Sequence, residues 1–503
     1  MKKRNPFIAL TAAGLAASTL LTACGTPAPS SSQQTTGSEA STETAEPVSL
    51  DSITFMSKDY YTDLDFADKF MDLFEADTGV GLEIVQIPNN GWEDKVTASF
   101  MSGELPDVAR MPTELYPFVK QDLLLPLDEY IENNPTIKQI IEDNPGSVEA
   151  FTYFDQIYAI SISNAKYMTI WVRQDWLDKL GMEMPDTLDE FVEMLRAFRD
   201  SDLDGDGVND TIPLTLPASL QPMDTIAAYF NTRNEVYVKD GKPIIPYRTE
   251  EYKEFMGFMK SLYDEGLIDK ETPTNTSYGN IRNKFNVGDA GAIIMWDDSS
   301  SSLINGMASS GVEGEVVYMP AFKNEEGTGA LGLSYYLADS PVSLTTGCEN
   351  PQAVFDTFFN WMLASDNGIV ATSAGLEGYS FDIVDGVMVP NVDNGGMGFH
   401  GQSFPPVDMD YEYPYQFDET YQYKYDCIAG LAEDGKAMGE LSNTTFIAPD
   451  NTQYNDLKGD LDAKMQELFH NYLVGNIDYD TYLSSFEAYA AEIDLDNIVA
   501  GNS

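Results

Sequence analysis

The chain has 503 residues, with 82 Asp and Glu against 28 Lys and Arg and a formal net charge of −54. Phosphate contacts demand a basic face that this surface cannot supply, which excludes nucleic acid as a partner, and anionic lipid headgroups are repelled for the same reason. Apolar residues make up 43% and aromatic residues 12%, enough for packed cores on a chain too long for a single one, so two lobes are expected.

Met1-Lys2-Lys3-Arg4 is a basic start, Phe7 to Leu21 an apolar run too short for a comfortable bilayer span, and Thr22-Ala23 the small residues before a cut. Residues 1–23 therefore read as a secretory signal peptide. The next residue is Cys24, and Leu20-Leu21-Thr22-Ala23-Cys24-Gly25 resembles a lipobox. That resemblance implies a diacylated Cys24 thiol and retention on the outer face of the cytoplasmic membrane. A plain signal with a chance cysteine is the alternative. Residues 24–49 lack aromatics and have almost nothing apolar to bury, which predicts a disordered tether reaching roughly 25 to 30 Å.

Ser52 to Ser57 reads as a buried strand, Asp65 to Thr78 as a helix with Phe66, Phe70, Leu73 and Phe74 on one face, and Gly81 to Ile87 as a second strand. Strand, helix, strand in that order is a βαβ unit and predicts an α/β sheet. Trp92 to Met101 resumes helical spacing, and Gly103 to Ala109 reads as a turn feeding a short strand.

From here the residues carry a family pattern. Ser99 to Arg110 (SFMSGELPDVAR), then Leu125-Pro126-Leu127, resembles a segment of the extracellular solute-binding proteins of carbohydrate ABC transporters. Trp171 to Gly181, Pro185 to Phe191, Phe285 to Ala292 and the C-terminal stretch through Ile493 resemble further family segments in the right order, and Gly375 to Gly386 resembles a marker of the Gram-positive lipoprotein subgroup. The resemblance covers residues 50–500. It implies an α/β, two-lobed periplasmic-binding-protein-like fold, each lobe a helix-flanked sheet, with a ligand cleft between them. On that template the first lobe is residues 50–163 plus 335–400, and the second is 164–334 plus 401–503.

Asp202-Leu203-Asp204-Gly205-Asp206-Gly207-Val208-Asn209-Asp210 places carboxylates at loop positions 1, 3, 5 and 9 with glycine at position 6. That is the spacing by which calcium loops wrap oxygen ligands around a hard cation. Val208 would give its backbone carbonyl. Position 12 is Pro213 rather than a bidentate Glu, so this is not an EF-hand, and Thr211 stands where relatives place an acidic ligand. A structural Ca²⁺ held by Asp202, Asp204, Asp206, Val208, Asp210 and Thr211 is expected, against the alternative of a solvated acidic turn.

Sugars offer apolar C–H faces and polar edges, so their sites combine aromatic platforms with a few hydrogen-bonding side chains. Trp296, ending the strand Ala292-Ile293-Ile294-Met295 and followed by Asp297, is the first candidate. Trp92 opens a helix, Trp171 and Arg173 sit at an expected lobe crossing, and Tyr60 follows the first strand. Arg110, Tyr335, Glu377, Tyr379 and Phe404 complete the set by loop position. Trp176 and Trp361, inside amphipathic helices, read as core. The aromatic run from Phe404 to Tyr425 either lines the cleft or packs. Neither His400 nor His470 sits in a metal, triad or cofactor spacing. Cys348 and Cys427 read as two free buried thiols, with a disulfide as the alternative.

These readings converge on a monomeric, lipid-anchored receptor that captures an oligosaccharide and delivers it to an ABC permease without catalysis. A receptor of the same fold for a peptide or other solute, and a surface glycosidase working with paired carboxylates, stand as alternatives.

Overall fold

The computed structural model describes residues 50–501, apart from 60–63, 89–90, 113, 164–165, 240–241, 337–340, 392–396, 398–405, 409–410, 439–444 and 447–450. The signal, Cys24 and the tether lie outside the described residues. Among the described residues no helix is long and apolar enough to cross a membrane.

The first sheet begins with β1 (Ser52–Asp59), whose Ile53 and Phe55 are fully buried. Helix α1 (Leu64–Thr78) lays Phe66, Phe70 and Phe74 against that face, the four-residue spacing that stacks side chains on one side of a helix. β2 (Gly81–Pro88) then returns parallel to β1, with Ser52 opposite Gly81. Trp361 packs edge-on to Phe70 and Phe74 at 5.2 and 5.1 Å and donates its indole N–H to Asp77 at 2.8 Å. It is a core residue, as its helical setting predicts.

Helix α2 (Trp92–Ser102) stops at Gly103, whose φ of 83° closes the last turn, and the chain enters β3 (Val108–Arg110). Asp107 fixes that entry: its Oδ2 accepts from the Thr54 N–H and from the Thr54 hydroxyl, both at 2.8 Å. The Leu-Pro-Leu exit is tied down similarly, with the Leu127 N–H donating to Ile157 O at 2.7 Å and the Leu125 N–H to Leu344 O at 2.9 Å. β4 (Ile160–Ser161) is the last strand before the chain leaves this sheet.

β5 (Lys166–Arg173) opens a second sheet, followed by α3 (Gln174–Leu180) and α4 (Leu188–Asp200). β6 (Ile212–Thr215), α5 (Glu250–Glu265), α6 (Tyr278–Asn286), β7 (Ala290–Trp296), α7 (Ser300–Ser309), β8 (Val316–Tyr318) and β9 (Leu333–Tyr336) follow. The order is β8-β5-β7-β6, and β9 continues along the β5 edge that β8 begins. Tyr335 and Tyr336 pair with Tyr167 and Lys166, so they belong to the second sheet and the chain returns to the first only afterwards. There β10 (Pro341–Leu344) completes the order β2-β1-β3-β10-β4. Helix α8 (Pro351–Ala364) covers this sheet, while α9 (Glu419–Met438), α10 (Thr452–Leu473) and α11 (Tyr479–Glu492) follow to the C-terminal end.

Each sheet has its own core. Phe55, Phe70, Phe358 and Trp361 cluster on the first, and Trp176, Phe198, Phe255 and Phe469 on the second. Cys348 and Cys427 are free and buried. Gly291 on β7 is a tight point of this second core, where an added Cβ would stand 2.6 Å from the Trp176 ring and nearer still to Phe198. Gly291→Ala is expected to lower stability by on the order of 1–3 kcal/mol or more through overpacking. A urea midpoint equal to that of the parent would show that the two rings yield freely.

Candidate functional site

In β6 and β7, which run parallel, the carboxyl ends are where open α/β sheets take ligands. Trp296 is the last residue of β7 and keeps part of its surface open, with its ring 6.4 Å from that of Tyr278. Its carbonyl accepts the Trp171 indole N–H at 3.0 Å. Trp171 is fully buried and edge-on to Tyr318, so the carbonyl it holds at Trp296 is fixed in place. Asp297 is 1% exposed, and its Oδ2 accepts the Tyr167 N–H at 3.0 Å, tying the start of β5 to the end of β7.

The other candidates are placed as follows. Arg173 forms a two-pronged pair with Asp175 at 2.7 and 2.8 Å, donates to Glu313 O, and stacks over Trp176. Trp92 is buried with Val96, Phe100 and Phe118, with Lys58 over its ring. Arg110 is buried at the end of β3, opposite Val342 of β10. Tyr379 is buried edge-on to Phe66 at 5.5 Å, whereas Glu377, two residues earlier, is exposed. Tyr335 is described only by its backbone pairing with Tyr167. Tyr60 and Phe404 lie outside the described residues. Within the aromatic run, Tyr413, Phe417 and Tyr425 pack on one another at 4.5 to 5.6 Å.

The acidic loop is folded around its own carboxylates. Asp202 accepts from the N–H groups of Gly205 at 2.8 Å and Gly207 at 3.0 Å, and Asp206 accepts from Val208 N–H at 2.8 Å. Gly205 and Gly207 have φ of 85° and 91°, which a side chain would resist. One oxygen from each of Asp202, Asp204 and Asp206 lies within 4.8 Å of the others. All donors are oxygen, the set a hard cation takes. Asp210 is exposed beside them, but the Thr211 hydroxyl is buried and donates to Phe198 O at 2.8 Å, at the end of α4.

Sequence reading misses Asp289. The Ile212 N–H donates to Asp289 O at 2.8 Å, and Ile212 pairs with Ala290, which brings Asp289 beside the loop. Burial pushes its carboxyl up, and the charges of Asp204, Asp210 and Asp206 push it further, a repulsion that a cation would relieve. The signal that could have found it is parallel pairing between the strand after the loop and the strand after the Gly288-Asp289 turn.

Also missed is a buried polar network. Asp224 Oδ1 accepts from the Asn234 backbone and side-chain N–H groups, both at 2.8 Å, while Tyr252 donates to Asn234 Oδ1. Burial pushes Asp224 up to about 6 and Glu235 up to about 7. Lys458 lies 3.8 Å from Glu235, and although burial works to lower it, the carboxylates of Glu235, Asp462 and Glu114 hold it above its usual value.

This fold and these segments place the chain in a class. It belongs to the bacterial extracellular solute-binding proteins, the family that matches residues 58–369. Lipoprotein LipO of Bacillus subtilis is 30% identical over 212 residues, 39% of this chain and 40% of that protein. The fructooligosaccharide ABC transporter substrate-binding protein FusA of Streptococcus pneumoniae is 28% identical over 220 residues, again 39% and 40% of the two chains. The alignments thus span about two-fifths of these relatives. Solved structures cover far more. An EF-hand mutant of FusA in complex with fructo-nystose superposes with TM-score 0.66 at 18% identity over 90% of this chain and 98% of that one. Alginate-binding protein AlgQ2, solved without calcium ion, superposes at 0.64 and 17% over 90% and 96%. The two-lobed α/β fold follows from these superpositions.

Glu235 gives the fold a pH signature. The unfolded carboxyl titrates near 4.5 and the folded one at about 7, so between these values the folded state holds a proton that the unfolded state releases. Its contribution is complete below the lower value and is lost as pH rises through the upper one. Asp224 acts in the same sense, from 3.8 to about 6. Stability should fall by on the order of 1–3 kcal/mol between about pH 5 and 8, and Glu235→Gln should flatten most of that fall. Thermal unfolding across that range checks it, and an unchanged profile in the variant assigns the titration elsewhere.

Proposed function

We propose that this chain is a lipid-anchored receptor on the outer face of the cytoplasmic membrane. As a monomer it closes two lobes over an oligosaccharide and hands it to an ABC permease, breaking no bond itself. The observation that carries the reading is Trp296, a partly open aromatic at the carboxyl end of β7, held from behind by the Trp171 indole. Such a ring can stack on the C–H face of a sugar while neighbouring polar groups meet its hydroxyls. Family membership and the saccharides in the names of FusA and AlgQ2 support it.

Tyr60, Arg110, Tyr335, Glu377 and Phe404 remain the candidates around that platform. Trp171 and Asp297 brace that platform, while Arg173, Trp92 and Tyr379 are packed elsewhere within the two cores. The lobes follow the passage of the chain between sheets. The first lobe takes residues 50–163 plus the return to about 400 and the second takes 164–334 plus 401–503, and the pairing of β9 with β5 supports moving that return from residue 335 to just after Tyr336.

A structural Ca²⁺ belongs to the same proposal. Asp202, Asp204, Asp206, Asp210, the Val208 carbonyl and an oxygen of Thr211, hydroxyl or carbonyl, would hold it, with Asp289 alongside. The EF-hand mutant of FusA and the calcium-free AlgQ2 structure support calcium as a theme among such proteins. Titration calorimetry on chelated protein should show uptake below millimolar calcium, and none at that concentration rejects the ion.

A ligand held only by the folded state raises its melting temperature. An oligosaccharide panel, run with and without calcium, should contain at least one compound that does so, and Trp296→Ala should weaken that compound roughly tenfold. A panel with no shift beside a peptide that shifts would replace the saccharide.

A further inference from the structure

Two elements anchored in different cores meet through charge. Lys120 follows the short helix Tyr116–Val119, whose Tyr116, Phe118 and Val119 are buried with the first-sheet residues Met56 and Ala109. Asp456 and Lys458 lie on α10, whose Tyr454, Leu461 and Met465 are buried in the core of the second sheet. The Lys120 ammonium is 2.9 and 2.8 Å from the two Asp456 oxygens. Glu114, six residues before Lys120, is 3.7 Å from Lys458.

The polarity is crossed. The first-sheet loop supplies an anion and a cation, and α10 answers with a cation and an anion. Such a pairing has one favourable register, because a slip or a flip sets like charges together. Both cations are held in place before they meet their partners. Lys120 sits over the Tyr116 ring at 5.3 Å, and Lys458 is bonded within its own helix to Asp462 at 2.8 Å. On a chain of net charge −54 two acidic bodies repel on approach, and this contact is locally attractive.

We propose that Glu114 and Lys120 on one lobe, with Lys458 and Asp456 on the other, form an electrostatic clasp. It sets the fraction of the protein that is closed, and through it the affinity for whatever the cleft holds. The clasp rests on the lobe closure proposed above but not on the identity of the ligand. A ligand that binds the closed form inherits any change in that population.

The test uses the full chain without sugar. Lys120 and Asp456 have side chains about half exposed (50% and 57%), so charge reversal there leaves folding intact, which circular dichroism checks. Small-angle scattering should give a radius of gyration a few per cent above that of the parent chain in Lys120→Glu and in Asp456→Lys, the compact body alone accounting for ~22 Å. The closed-to-open ratio should fall roughly two- to fivefold in each. The double reversal Lys120→Glu with Asp456→Lys should restore both, and Lys120→Arg should leave them unchanged. Single reversals that scatter like the parent, or a double reversal that fails to recover, overturn the clasp. Because no sugar enters the measurement, either result leaves the ligand class to the thermal-shift panel.

Discussion

One strand carries the geometry of the candidate site. β5 takes β7 on one edge and β8 then β9 on the other, so most of its length is paired on both sides. Its Trp171 reaches the Trp296 carbonyl, and its Tyr167 N–H reaches the Asp297 carboxylate. The end of β7 is therefore fixed by two bonds from a strand whose own position is set on both sides. A platform held this way loses little freedom when a ligand stacks on it, which is the condition for spending binding energy on recognition rather than on ordering.

The same economy explains what the family segments do. Asp107 clamps the entry to β3 onto Thr54, Leu127 stitches its loop to Ile157, and Gly291 leaves room for Trp176 and Phe198. None of these contacts needs a ligand. They satisfy buried backbone groups and fill space, tasks that hold for every member of a fold whatever it binds. Arg173 belongs with them, since its Nε and one terminal nitrogen are engaged by Asp175 and the Glu313 carbonyl. A charged residue at the end of a sheet strand can thus be framework as easily as contact.

Local signals were read correctly where the physics was local. The four-residue phenylalanine spacing of α1, the β1-α1-β2 order, the Gly103 stop and the core settings of Trp176 and Trp361 all follow from neighbours in the chain. The candidate site was less legible. Burial of Trp92, Trp171 and Tyr379 depends on which elements cover them, and the part of Asp289 beside the acidic loop depends on a strand pairing about eighty residues away in sequence. The buried network of Asp224 and Glu235 left no mark in the sequence, because an acidic residue in a chain with 82 of them carries no hint of being inside.

The sequence alone determined the class of fold, the acidic loop with its glycines at the positions that need positive φ, and the aromatic ending β7, because periodicity, turn chemistry and spacing act between residues close along the chain. Only the tertiary structure decided which rings keep an open face, which carboxylates lose their water, and where the chain changes sheets after Tyr336. Those outcomes depend on desolvation and packing between segments far apart in sequence, and no local pattern encodes what another segment will cover.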